Sequence, residues 1–123
     1  MSADAVLADR WRSLLSRYSR IAHDLDRELQ AAHGLTVSDY EALDRLLSEP
    51  DRKVRVQDLV DDMHLSQSAL SRAVARLEKC GLAHRDMCDT DRRGVFVTPT
   101  ETGRVVHAEA RKTYLAVLSQ HLA

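Results

Sequence analysis

Between Asp4 and Ala32 apolar residues stand at Leu7, Trp11, Leu14, Tyr18, Ile21, Leu25 and Leu29, and no glycine or proline interrupts them. As far as Leu25 the steps alternate between four and three residues, the seam of a helix packed lengthwise against other helices. Gly34 marks its end. A helix of about 28 residues is roughly 42 Å long. A chain of 123 residues supports one domain with a modest core, too small to cover such a helix by itself. A partner subunit is the economical cover.

The rest of the chain reads as short elements. In "TVSDYEALDRLLSEP" either Thr36 or Ser38 can cap a helix, with Ser38 and Glu41 in capping-box spacing and Leu43, Leu46 and Leu47 on the buried face. Pro50 and Asp51 end it. "KVRV" is extended, and "QDLVDDMHL" is a short helix burying Leu59, Val60 and Met63. Ser66 caps the next helix, which stops at Gly81. "LAHRDM" and "VFVTP" form two strands around the polar tip "CDTDRRG". Thr100 starts a last helix through Val106, Ala110, Tyr114, Val117 and Leu118.

The helix "SQSALSRAVARLEKC" carries the functional signal. At about 100° per residue, Leu70, Ala73, Val74, Leu77 and Cys80 share one arc, while Gln67, Ser68, Ser71, Arg72, Ala75 and Lys79 share the opposite one. A merely solvated face would be expected to carry long Glu and Lys side chains. This face begins instead with small and hydrogen-bonding residues that permit close approach. Arginine pairs with guanine edges, glutamine with adenine, and serine hydroxyls suit phosphate or base. With the short helix before it and the hairpin after it, the segment is a winged helix-turn-helix that presents its second helix to the major groove of double-stranded DNA. Arg92 and Arg93 at the hairpin tip suit a narrow minor groove.

Charge is consistent with local rather than bulk attraction. The formal net charge is -1, yet residues 67–99 hold six basic against four acidic side chains. The near-neutral total keeps a second reading open, a winged helix that binds protein rather than DNA.

The strings "LSQSALSRAVARLEKCGL" and "DTDRRGVFVTPTETGR", in this order between long terminal helices, resemble the MarR family of bacterial transcriptional regulators. The resemblance runs from the first helix to about Leu118. It implies a mainly α fold with a small β-wing, and a single domain over 1–123. Helices over 4–34 and 101–123 would dimerise, and a winged helix-turn-helix lobe over 36–100 would bind DNA. It implies a homodimer on a pseudo-palindromic operator, read as a repressor, commonly released by a small phenolic or other aromatic acid effector or by oxidation. Carried over by residue, Ser66, Gln67, Ser68, Ser71, Arg72 and Arg76 are the recognition-helix contacts. Arg93 is the minor-groove arginine of the wing, Asp91 the acid that orders the wing, and Arg92 a candidate phosphate contact. The family usually continues into a further dimerisation helix after the fifth long one. This sequence stops at "SQHLA", which shifts dimerisation onto the first helix or weakens the dimer.

Trp11 and Arg12 are the candidate effector pair, a ring to stack on and a bidentate partner for a carboxylate. The competing reading, which the seam favours, makes Trp11 a packing residue and leaves Arg12 solvated. Two cysteines are too few for a disulfide framework and fit a reducing compartment. Cys80 reads as a buried filler on the apolar arc, and Cys88 as the more reactive thiol. The six histidines are scattered, and no helix pairs two of them four residues apart, so no metal site is expected. A thiol or metal sensor on the same scaffold stays as a further alternative. No phosphate-binding glycine loop and no nucleophile with a recognisable base occurs, which reads as no enzyme and no cofactor. No apolar run approaches the roughly 18 residues of a membrane span and "MSADAVLADRWR" has no signal-peptide core. The expected location is cytoplasmic, away from membranes.

Overall fold

The computed structural model describes residues 2–48, 54–87 and 95–123. Helix α1, Ala3–His33, is capped by Ser2, whose Oγ accepts the Ala5 N–H at 3.1 Å. It ends where Gly34 takes a left-handed φ of 69°, a conformation that glycine adopts without a Cβ clash. Helix α2, Val37–Leu47, follows after three residues. Its cap is Thr36, and the capping box closes with Asp39 rather than between Ser38 and Glu41. Strand β1 is Val54–Arg55, and helix α3, Val56–Asp62, leads through residues 63–66 to helix α4, Gln67–Lys79. Strands β2, Ala83–Met87, and β3, Val95–Pro99, precede helix α5, Glu101–Leu122.

The architecture is mainly helical with one small sheet, as expected, but the sheet has three strands in the order β1-β3-β2, all antiparallel. The expected hairpin is β2 and β3, paired from Ala83↔Pro99 to Met87↔Val95. β1 adds to its free side through Val54↔Val97 and Arg55↔Phe96. Val97 faces the core from the central strand and is fully buried.

One core holds the lobe together. Leu43 and Leu46 of α2, Leu59 of α3, Leu70, Val74 and Leu77 of α4 and Val97 of β3 are all buried there, with Leu29 of α1 and Ala110 of α5 joining from the long helices. Leu59 is buried as expected, whereas Val60 and Met63 are half-buried at the margin. Tyr40 stacks on His107 with ring centroids 5.3 Å apart, and His107 Nε2 lies 2.7 Å from Asp44 Oδ1, so α2 and α5 are joined by a ring contact and a polar one.

The end of α4 and the start of α5 interlock. Leu82 N–H donates to Leu77 O at 2.8 Å and Gly81 N–H to Glu78 O at 3.0 Å, with Gly81 at a φ of 75°. This is a Schellman cap, and Leu77 and Leu82 are both buried in the core. Thr100, the α5 cap, donates its hydroxyl to Gly81 O at 2.6 Å and its N–H to Leu82 O at 3.0 Å. Gly103 lies so close to the Leu82 carbonyl that a Cβ would collide with it.

α5 returns antiparallel along α1. His33 Nε2 meets Thr113 Oγ1 at 2.8 Å, His121 Nε2 meets Asp24 Oδ2 at 2.8 Å, and Arg17 reaches the carbonyl of His121. The first four turns or so of α1 therefore run on, by about 20 Å, past the end of α5. No helix of the described residues is long and apolar enough to cross a membrane.

Candidate nucleic-acid interface

Helix α4 owes its position to its two faces. Leu70, Ala73, Val74 and Leu77 are buried to 1% exposure or less, as the helical spacing predicted. Gln67, Ser68, Ser71, Arg72, Ala75, Arg76 and Lys79 are all exposed. Ser66 caps the helix with its Oγ accepting the Ala69 N–H at 3.1 Å, so this oxygen is already engaged while the hydroxyl proton remains available. The first two turns of α4 thus form a continuous surface of small and polar groups, with the helix N-terminus directed outward.

The two arginines of this surface differ. Among the described residues Arg72 makes no hydrogen bond or ion pair. Arg76 instead turns its Nε and Nη2 onto Asp39 Oδ1, at 2.9 and 2.8 Å. Asp39 is 3% exposed and its other oxygen accepts the Thr36 N–H at 3.1 Å. A third arginine, Arg85 on β2, pairs with Glu78 of α4 at 2.7 Å.

Cys80 corrects an expectation. It is exposed, because it is the cap residue of α4 and lies at the edge of the apolar arc. Cys88, Asp91, Arg92 and Arg93 lie outside the described residues; the last described pair of the hairpin is Met87↔Val95.

The candidate effector pair stands exposed on the first helix. Trp11 is 61% exposed, and among the described residues Arg12 reaches only Asp9, one turn earlier, at 3.4 Å between two well-exposed side chains. A cleft of about 590 Å³ lies instead where α1, α2, α5 and the α3–α4 connection meet, lined among others by Tyr18, Glu41, Asp44, Asp62, His64 and Tyr114. Its character is acidic. Desolvation, then the charge of Asp44, pushes Glu41 above the ordinary carboxylate range. Tyr40 is pushed up to about 12 by burial and then by Asp44, and Tyr114 is raised by burial, Glu41 and Asp44. Asp62 is neutralised locally by Arg45.

Asp39 and Gly103 were not singled out from the sequence. Only Asp39 had a local signal, its three-residue spacing from Thr36.

A sequence profile of the MarR family matches residues 33–94. No curated protein sequence matches the chain. Among solved structures, Sco3205 of Streptomyces coelicolor, a MarR family transcriptional regulator in complex with DNA, is 32% identical with a TM-score of 0.87. The match covers 99% of this chain and 75% of that one. AbsC, a MarR family transcriptional regulator from the same organism, is 33% identical with a TM-score of 0.82, over 99% of this chain and 80% of that one. BpsR of Bordetella bronchiseptica, whose DNA binding is regulated by 6-hydroxynicotinic acid, shares the fold at 20% identity and a TM-score of 0.82, over 94% and 85% of the two chains.

Proposed function

Since the chain belongs to the MarR family of winged-helix transcriptional regulators, we propose that it is a cytoplasmic, homodimeric, sequence-specific repressor that binds a pseudo-palindromic operator through α4 and the wing. The observation that carries the reading is the open face of α4. Gln67, Ser68, Ser71 and Arg72 are exposed together on its first two turns, and Arg72 has no partner among the described residues. In a dimer two such helices would lie about one DNA turn apart, roughly 34 Å, in successive major grooves. Gln67 and Arg72 are assigned to base edges, Ser66, Ser68 and Ser71 to phosphate or base, Arg93 to the minor groove with Asp91 ordering the wing, and Arg92 to phosphate.

Dimerisation is supported by the apolar stripe of α1 that the rest of the described chain leaves open, Leu7, Trp11 and Leu14, each more than 60% exposed, which continues to Tyr18 at the cleft. Such a contiguous apolar surface marks a protein contact. An aromatic acid effector is part of the proposal. It is assigned to Trp11 and Arg12 in the assembled dimer, because a carboxylate entering the cleft beside Glu41 and Asp44 would meet like charge. The effector would relieve repression only as far as it binds the DNA-incompetent arrangement more tightly.

The test is selection of duplexes from a random-sequence library by the purified chain, then fluorescence anisotropy of the preferred and a scrambled duplex across a salt series. Tight binding that weakens steeply with salt, with Arg72→Ala costing about 1–3 kcal/mol on the preferred duplex alone, is the expected result. Equal and salt-insensitive affinity for both would favour a protein-binding winged helix. Benzoate added to the complex should release the duplex from the wild type and not from Arg12→Ala; no release removes the effector assignment alone.

A further inference from the structure

A reader helix needs its rotation about its own axis held as well as its position, because turning it changes which side chains meet the base edges. Apolar packing through Leu70, Val74 and Leu77 holds α4 in the lobe, but such contacts have little directional preference. Directional restraint comes from polar groups of fixed geometry. The buried carboxylate of Asp39 supplies one: Oδ1 receives both Nε and Nη2 of Arg76, while Oδ2 receives the Thr36 N–H. The planar guanidinium makes this contact in one orientation. Arg76 sits at the border between the open and buried arcs of α4, two turns beyond Ser68 and one beyond Arg72, where a lateral tie limits rotation.

The tie also continues to the long helices. Val37 N–H, the first of α2, donates to Asp26 Oδ1 of α1 at 2.8 Å. The N-terminus of α2 is thus gripped by α1 on one side and grips α4 on the other. The negative charge of Asp39 is itself favoured there, in the first turn of a helix.

We infer that Asp39 is a positioning residue for the DNA-reading helix, acting through Arg76, and that Arg76 serves site discrimination as a strut between α2 and α4 rather than as a direct DNA contact. The inference rests on the DNA-binding reading above and changes the role of one residue that the family resemblance assigns to DNA.

The two roles of Arg76 predict opposite patterns. The experiment uses the full chain, the selected duplex and the scrambled duplex, each titrated across a salt series, with Asp39→Asn, Arg76→Gln, Arg76→Lys and the Asp39→Asn/Arg76→Gln double variant, and circular dichroism to verify folding. For a strut, Asp39→Asn and Arg76→Gln each reduce the preference for the selected duplex about tenfold or more, the scale of one lost base contact. The salt slope stays unchanged, the double variant falls no further than either single one, and Arg76→Lys recovers part of the preference. For a phosphate contact, Arg76→Gln weakens both duplexes alike and lowers the salt slope by about one. Asp39→Asn then frees the guanidinium and tightens both. That second pattern overturns the inference. If Asp39→Asn fails to fold, the two Arg76 variants decide alone, since this side chain is about half exposed. A wild-type chain that selects no duplex overturns the DNA-binding reading and the strut with it, a result distinct from either mutant pattern.

Discussion

The two halves of α1 follow the same apolar seam and end in opposite environments. Leu25 and Leu29 are 5% and 0% exposed, covered by α5 and the lobe, while Leu7, Trp11 and Leu14 are 61–63% exposed beyond the end of α5. Periodicity records that a face is to be buried and says nothing of which chain buries it. The buried half belongs to the fold and the exposed half is the one proposed to dimerise, and the same substitution should have different consequences in each.

Leu29→Ala should have the largest effect on the fold. It leaves a cavity in a fully enclosed site and is expected to cost about 2–5 kcal/mol in urea unfolding. A loss under 1 kcal/mol would mean that the lower half is less tightly covered than its burial implies. Gly103→Ala should come next, because the added methyl meets the Leu82 carbonyl and pushes α5 off the cap of α4. About 1–3 kcal/mol is expected, with a lower melting temperature. An unaltered melting temperature would show that the α4–α5 junction yields freely.

Leu14→Glu should leave the fold of one protomer within about 0.5 kcal/mol, as surface changes do. It should abolish the concentration dependence of melting that a dimer shows. If it unfolds the chain at every concentration, the two halves of α1 do not differ as described. The smallest effect is expected at Glu41, in the cleft where the halves meet. Its folded-state pKa lies above the ordinary value, so the folded protein binds this proton more tightly than the unfolded one. Stability from this group is therefore lost as pH rises through the raised pKa. Glu41→Gln should raise the melting temperature slightly at pH 7 and not at pH 4; an equal rise at both would assign the effect to something other than charge.

The same distinction explains what could be read from the sequence. Elements defined by their own residues were legible: the long helix stopped by Gly34, the amphipathic α4, the Thr100 cap and the two strands of the wing. The extended backbone of β1 was legible in "KVRV", but its place in the sheet was not, since that depends on pairing with β3, about forty residues away. Thr36 and Ser38 both offered caps, with the box spacing read between Ser38 and Glu41, and the choice fell to Thr36 with Asp39, a carboxylate that also meets Arg76 from 37 residues away. Cys80 fell on the apolar arc of a helical wheel, but the helix ends there. The open face of α4 was legible because its composition departs from that of an ordinary solvated helix. The difference between Arg72 and Arg76 was not, because it lies in a partner on another helix.

Sedimentation of the protein with its selected duplex, read as the number of chains per DNA, tests the central claim most directly. A homodimeric reader predicts two chains bound together on one pseudo-palindromic duplex, and no stable complex for Leu14→Glu at the same concentration. One chain per duplex, or full-strength binding by Leu14→Glu, would contradict it.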